Sequence, residues 1–166
     1  MRNKTVVITG ATSGLGRATA LQLAQKGVFV VIVARSNTKA NEVHKEIVKE
    51  GGKGQFVIAD LSSMKDTKEA AEIIIKVVDR LDVLINNAGA HFPKYKETSE
   101  GLESTLALNY LSPFLLTHHL IEKMEQTASE YGEARIINIS SIMHKGPINW
   151  DDLNYKETTY HSSSAY

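Results

Sequence analysis

The stretch Thr5-Val6-Val7-Ile8-Thr9-Gly10-Ala11-Thr12-Ser13-Gly14-Leu15-Gly16 decides the reading of this chain. Its first five residues form a β-branched, largely apolar run, as expected of a strand covered on both faces. The run breaks into a turn with the spacing G-x-x-x-G-x-G and continues as an apolar-periodic helix from Gly14. Glycines at these points let a backbone come close to a phosphate, because no side chain stands in the way. The following helix offers free N–H groups and the positive end of its dipole to an anion. The spacing differs from the G-x-G-x-x-G fingerprint, but its place at the head of a strand–helix series meets the context that fingerprint requires. An ordinary tight strand-to-helix turn is the plainer alternative.

Outward from that turn, short apolar runs alternate with longer amphipathic stretches. Strands are predicted at Thr5–Thr9, Phe29–Ala34, Gly54–Ala59, Val83–Asn86 and Arg135–Ser140. Helices are predicted at Gly14–Lys26, Lys39–Glu50, Lys65–Arg80 and Gly101–Glu130, the last bent or restarted at Ser112-Pro113. Strand–helix alternation implies a parallel sheet with right-handed crossovers. The expected fold is α/β, a three-layer, Rossmann-type doubly wound sheet of about five strands, order 3-2-1-4-5, with ligands at the strands' carboxyl ends. Residues 141–166 hold Trp150, Asp151-Asp152, Tyr155 and Tyr160 but no clear strand. Such a loop follows a strand's carboxyl end and is expected near the ligand crevice.

Composition narrows the function. The 166 residues suit one domain, and 42% hydrophobic with 23% charged residues is the balance of a soluble globular protein. Lys+Arg 19 against Asp+Glu 19 gives no basic surface for nucleic acid. The absence of cysteine removes disulfides and thiolate chemistry. No apolar run approaches the roughly 20 residues needed to span a bilayer, and Met1-Arg2-Asn3-Lys4 runs directly into the first strand. A cytoplasmic protein is the default expectation. His118-His119 are adjacent, which is the wrong spacing for a helical metal pair, so no metal is expected. Asp151-Asp152 read as turn or capping residues rather than paired acid–base carboxylates.

Residues able to hold or work on a ligand fall at the ends of successive strands. After the second comes Ala34-Arg35-Ser36, with no Asp or Glu between Val28 and Asn41. NAD-preferring sites place an acidic side chain here for the ribose hydroxyls, whereas Arg35 can pair with a 2′-phosphate, so NADP is favoured over NAD. After the third comes Asp60-Leu61, after the fourth Asn86-Asn87-Ala88-Gly89, and at the fifth Asn138-Ile139-Ser140-Ser141. In this order the motifs resemble the short-chain dehydrogenase/reductase family. The segment Trp150-Asp151-Asp152-Leu153-Asn154 before Ala165-Tyr166 is similar to its retinol-dehydrogenase-like branch.

The resemblance implies a single NAD(P)-binding domain over residues 1–166. Gly10, Thr12, Ser13, Gly14, Leu15 and Gly16 would hold the pyrophosphate, Arg35 the 2′-phosphate, and Asp60 and Leu61 the adenine. Asn87, Ala88 and Gly89 would line the path to the nicotinamide. It implies catalysis by Ser141, which polarises the substrate oxygen, by Tyr166, which passes the proton, and by Asn109, which holds the relay geometry. The implied reaction moves a hydride between NADP(H) and a small, hydrophobic alcohol or carbonyl compound. A free tyrosine ionises near pH 10, and in this family a lysine four residues further on lowers it. The 166 residues stop at Tyr166. The chain is therefore expected to be the amino-terminal part of a longer, homo-oligomeric enzyme, inactive as this piece alone. A non-catalytic NADP(H)-binding or sensing module is the alternative; the glycine spacing disfavours an extended-type epimerase.

Overall fold

Alternate residues of a strand leave the sheet on opposite faces, and in this chain both sets are apolar. Val6, Ile8, Val30 and Ile32 pack on one side with Ala20, Ala24, Val43 and Ile47. Val7, Val31, Val33 and Leu84 pack on the other with Ala70, Ile74, Leu116 and Leu120. The computed structural model describes residues 3–143 and 147–166. Among them, β1 (Thr5–Thr9), β2 (Phe29–Ala34), β3 (Lys53–Ile58), β4 (Val83–Asn86) and β5 (Arg135–Asn138) form one parallel sheet in the order β3-β2-β1-β4-β5. Helices α1 (Gly14–Gln25) and α2 (Asn37–Lys49) cover the first face, and α3 (Met64–Val77) and α5 (Ser112–Tyr131) the second. The short helices α4 (Ser104–Leu106) and α6 (Ser162–Ala165) complete the elements. No helix of the described residues is long and apolar enough to cross a membrane.

The fold is the one the alternation of elements predicts, and several boundaries differ by a few residues. Strand β3 begins at Lys53 and β5 stops at Asn138, because β4, its only neighbour, ends at Asn86. Helix α3 stops at Val77, where Val78 turns extended (φ −121°, ψ 132°) to lead into the buried Asp82. The stretch 101–130 is not one helix. Glu103 caps α4, a π-helical turn follows at Ala107–Leu111, and α5 starts afresh with Pro113 in its first turn. Pro113 has no N–H to give the Asn109 carbonyl four residues back, so the hydrogen-bond register is free to change there.

The sheet's amino end is gathered at one residue, Asp82. Asp82 is 1% exposed. Its Oδ2 accepts from the Thr5 N–H and from Arg80 Nε, both at 2.8 Å, and its carbonyl accepts from the Arg135 N–H at 2.8 Å. The Arg80 guanidinium is also held 3.5 Å above the Tyr131 ring. The starts of β1, β4 and β5 thus meet at one residue, β1 and Arg80 on its carboxylate and β5 on its backbone carbonyl. Replacing Asp82 with Ala would leave a buried N–H and a half-buried cation without their partner, at a cost of about 3 kcal/mol. Urea denaturation of Asp82→Ala beside the parent is expected to show that loss; a change under about 0.5 kcal/mol, the range of ordinary surface substitutions, would mean that the strands start independently of it.

Candidate active site

The carboxyl ends of β1 and β4 are joined by hydrogen bonds before any ligand is considered. Thr9 Oγ1 accepts from the Asn87 N–H at 3.0 Å and the Ala88 N–H at 2.9 Å. The Asn87 side-chain amide donates in return to Thr9 O at 2.9 Å and Gly10 O at 3.3 Å. This close approach explains two of the glycines. A Cβ on Gly10 would lie 2.8 Å from Ala88 Cα, and one on Gly16 would overlap the Asn87 amide and sit 2.8 Å from Gly10 O. Gly14 differs: its φ is +53° and nothing lies within 4 Å of a Cβ there, so it faces open space.

Open space meets an uncapped helix at this point. Ser13 is the N-cap of α1, but its side chain makes no capping hydrogen bond, and the first turn holds no acidic residue. By contrast, Ser36 and Ser63 cap α2 and α3 by accepting an N–H from their own first turns. Leu15 beside Gly14 stays 64% exposed, an apolar side chain left in solvent at the mouth of the turn, while Thr12 is half-buried.

At the tips of β2 and β3, Arg35 and Asp60 are both exposed. Burial pushes the Asp60 carboxyl up, but hydrogen bonds from the Ser62 N–H and hydroxyl, with the charges of Arg35 and Lys96, hold it below the usual range. Arg35 makes no ion pair among the described residues, so its guanidinium keeps its donors. Leu61 is placed differently from its neighbour. Its side chain is 7% exposed and belongs to the core beneath α3.

Beyond the carboxyl end of β4 a cavity of about 930 Å³ opens between α5 and β5, within the size range of small-molecule sites. Ala88, Gly89, Asn109, Ser141 and Tyr166 line it together, over a partly apolar wall of Phe114, Ile121 and Ile136. Asn109 lies in the π-helical turn, and both ends of its amide are spent on one backbone unit: Oδ1 accepts from the Ala90 N–H and Nδ2 donates to Ala90 O, each at 3.0 Å. Ser141 Oγ accepts from the Met143 N–H at 3.1 Å, and its own hydrogen remains available. The Tyr166 ring packs edge-on against His91, centroids 5.7 Å apart. His144 lies outside the described residues, and Trp150 is 74% exposed.

His91 and Tyr160 are not evident from the sequence, whereas Asn86 and Asn138, which stand in strand-end motifs, are tied to each other. Asn86 Nδ2 donates to Thr117 Oγ1 at 3.1 Å and Asn138 Oδ1 at 2.8 Å, tying the ends of β4 and β5 to α5. His91 carries no motif, and Tyr160 falls in a segment without periodicity. Asp152 does have the turn role expected of it: it is 8% exposed and accepts from the N–H groups of Lys156, Glu157 and Thr158 and from the Thr158 hydroxyl. His118 and His119 stack edge-on with centroids 5.4 Å apart, and among the described residues no group of three His, Cys, Asp or Glu is placed to hold a metal.

This geometry has close counterparts. The profile of the short chain dehydrogenase family matches residues 4–151. Retinol dehydrogenase 13 of Homo sapiens is 39% identical over 167 residues, covering 98% of this chain and 49% of that protein. The chain spans about half the length of the curated relatives it matches. Among solved structures, an uncharacterized protein from Mycobacterium paratuberculosis superposes with a TM-score of 0.84 at 33% identity, over 99% of this chain and 56% of that one. A metagenomic short-chain oxidoreductase crystallised with NADP superposes with a TM-score of 0.73 at 31% identity, over 89% and 66% of the two chains. The glycine turn, the joined strand ends and the cavity beside them are those of a chain that belongs to the short-chain dehydrogenase family, on its retinol-dehydrogenase-like side.

Proposed function

We propose that this chain is the cofactor-binding and catalytic portion of an NADP(H)-preferring oxidoreductase that interconverts a hydrophobic alcohol and its carbonyl compound. The observation that carries the reading is the convergence at one end of the sheet: α1 begins uncapped behind an open glycine, and Asn109, Ser141 and Tyr166 line one cavity beside it. The residues present fit a dinucleotide. The first-turn N–H groups of α1 lack a side-chain acceptor, and Gly14 leaves room for a diphosphate to reach them. Arg35 offers donors for a 2′-phosphate at the tip of β2, where an NAD-preferring site would carry an acid. The NADP bound by the metagenomic relative supports the same reading. When bound, the nicotinamide supplies hydride exchange.

The chain's own residues handle orientation and the proton. In reduction, the Tyr166 hydroxyl gives its proton to the substrate oxygen, and the Ser141 hydroxyl donates a hydrogen bond to the same oxygen as charge develops there. In oxidation the proton returns to Tyr166. Asn109 touches no reacting atom in this scheme. It fixes Ala90, and through Ala90 the Asn87–Gly89 wall of the cavity. The apolar wall of Phe114, Ile121 and Ile136 favours a hydrophobic substrate over a sugar or an acid.

With the full natural chain, NADPH oxidation in the presence of a hydrophobic aldehyde or ketone is the expected activity. Tyr166→Phe is expected to abolish turnover while leaving NADPH binding within about twofold. Turnover unchanged in that variant refutes the role given to Tyr166, and tight NADPH binding with no turnover in the parent supports the binding-module alternative. Arg35→Ala is expected to weaken NADPH by roughly tenfold to a hundredfold, the factor for one charge-assisted contact of about 1.5–3 kcal/mol. Fluorescence titration should find NADH affinity little changed; equal losses for both cofactors would remove the 2′-phosphate assignment.

A further inference from the structure

We propose that Tyr160 is a positioning residue for Tyr166, acting through a strap that runs from Asp152 to Tyr160 and is tied to the β4–α4 connection. The proposal rests on the acid–base role given to Tyr166 above.

The strap is built from three sets of contacts. At its start, Asp152 gathers the chain into a turn by accepting three backbone N–H groups and one hydroxyl. Burial pushes the Asp152 carboxyl up, but the Thr158 hydroxyl and the N–H groups of Lys156, Thr158 and Glu157 outweigh it and hold the group at about 2. The turn is therefore charged, and its hydrogen bonds are in place, throughout the neutral range. In its middle, Asn154 Oδ1 accepts from the Glu103 N–H at 2.9 Å, and Lys156 pairs with Glu97. At its end, the Tyr160 hydroxyl donates to Phe92 O at 2.8 Å and lies 3.4 Å from Thr105 Oγ1, with its ring edge-on to both Tyr95 and Tyr155.

The last tie matters because of where it lands. Phe92 follows His91, whose ring packs against Tyr166, and Tyr160 precedes Tyr166 by six residues that include α6. The path from Tyr160 to the Phe92 carbonyl, His91, Tyr166 and back along α6 is a closed ring of contacts. Among the described residues, the Tyr160 hydroxyl and the His91–Tyr166 packing close it. Helix α6, between the two tyrosines, makes no side-chain cap hydrogen bond. A proton-transferring group must be held within a fraction of an ångström of its working position. The hydroxyl-to-carbonyl bond at the root of α6 contributes to that restraint, beside the ring packing of Tyr160 on Tyr95 and Tyr155.

Tyr160→Phe removes the hydroxyl and keeps the ring, so it tests the tie with little disturbance to packing. In the full natural chain it is expected to lower kcat about tenfold, leave the number and affinity of NADPH sites unchanged, and raise the solvent deuterium isotope effect on kcat as proton transfer becomes limiting. Asp152→Asn, which slackens the strap from its other end, is expected to reproduce the pattern and decides the matter where Tyr160→Phe does not fold. A loss of kcat matched by a loss of NADPH sites, with the isotope effect unchanged, overturns the proposal in favour of a merely structural role. Unchanged kcat in Tyr160→Phe, alongside an inactive Tyr166→Phe, also overturns it but leaves the proposed function standing. Full turnover in Tyr166→Phe removes the proposed function, and this inference with it.

Discussion

The join between the ends of β1 and β4 is the constraint on which the site depends. Thr9 Oγ1 accepts two consecutive backbone N–H groups, and the Asn87 amide returns two bonds to the Thr9 and Gly10 carbonyls. Four hydrogen bonds within two short turns leave no space for side chains between them. Gly10 and Gly16 are required by that crowding: a Cβ at either would meet the Ala88 backbone, the Asn87 amide or the Gly10 carbonyl. Gly14 alone faces outward. The glycine motif therefore has two physical origins, one in the packing of the fold and one at the surface a diphosphate can reach.

The distribution of helix caps fits this division. Ser36 and Ser63 satisfy an N–H of α2 and α3, and Glu100 reaches across to accept two more from Met64 and Lys65 at the start of α3. Ser13, of the same residue type and in the same N-cap position, satisfies none in α1. An uncapped helix start forgoes about 1 kcal/mol that a Ser or Asp cap ordinarily contributes. Of α1, α2 and α3, only α1 leaves its first-turn N–H groups without a hydrogen bond from its own N-cap side chain.

Much of the fold was legible because its strands are covered on both faces and read as unbroken apolar runs. Thr5–Thr9, Phe29–Ala34 and Val83–Asn86 have the same ends in sequence and structure. The misread boundaries lie where a local pattern yields to a distant partner. Arg135–Ser140 is apolar to its end, yet pairing stops when β4 runs out at Asn86. The helical periodicity of 101–130 continues across a change of hydrogen-bond register that only Pro113 hints at. In the candidate site, the structure brings Ala88, Gly89, Asn109, Ser141 and Tyr166, most of them carried by strand-end motifs, to the wall of one cavity. Leu61 stood in such a motif too, but its side chain points into the core beneath α3. Tyr160 and His91 were not legible, because their partners are a backbone carbonyl and a ring edge, for which no residue pattern is specific.

The connection from Asn87 to Glu103 is where these strands of structure converge. Its first residues complete the join to β1, and Ala90 is held on both polar atoms by Asn109 of the π-helical turn. Phe92 receives the Tyr160 hydroxyl, Glu100 anchors the far end to α3, and Glu103 is buried as the cap of α4. The segment has almost no regular structure of its own, so its shape is set by these ties from four separate elements. That arrangement makes the wall of the proposed cofactor pocket and the mount of the proposed proton donor the same piece of chain. Substitutions at Asn109 and Tyr160 therefore share a target, and residues that act on one shared element combine non-additively.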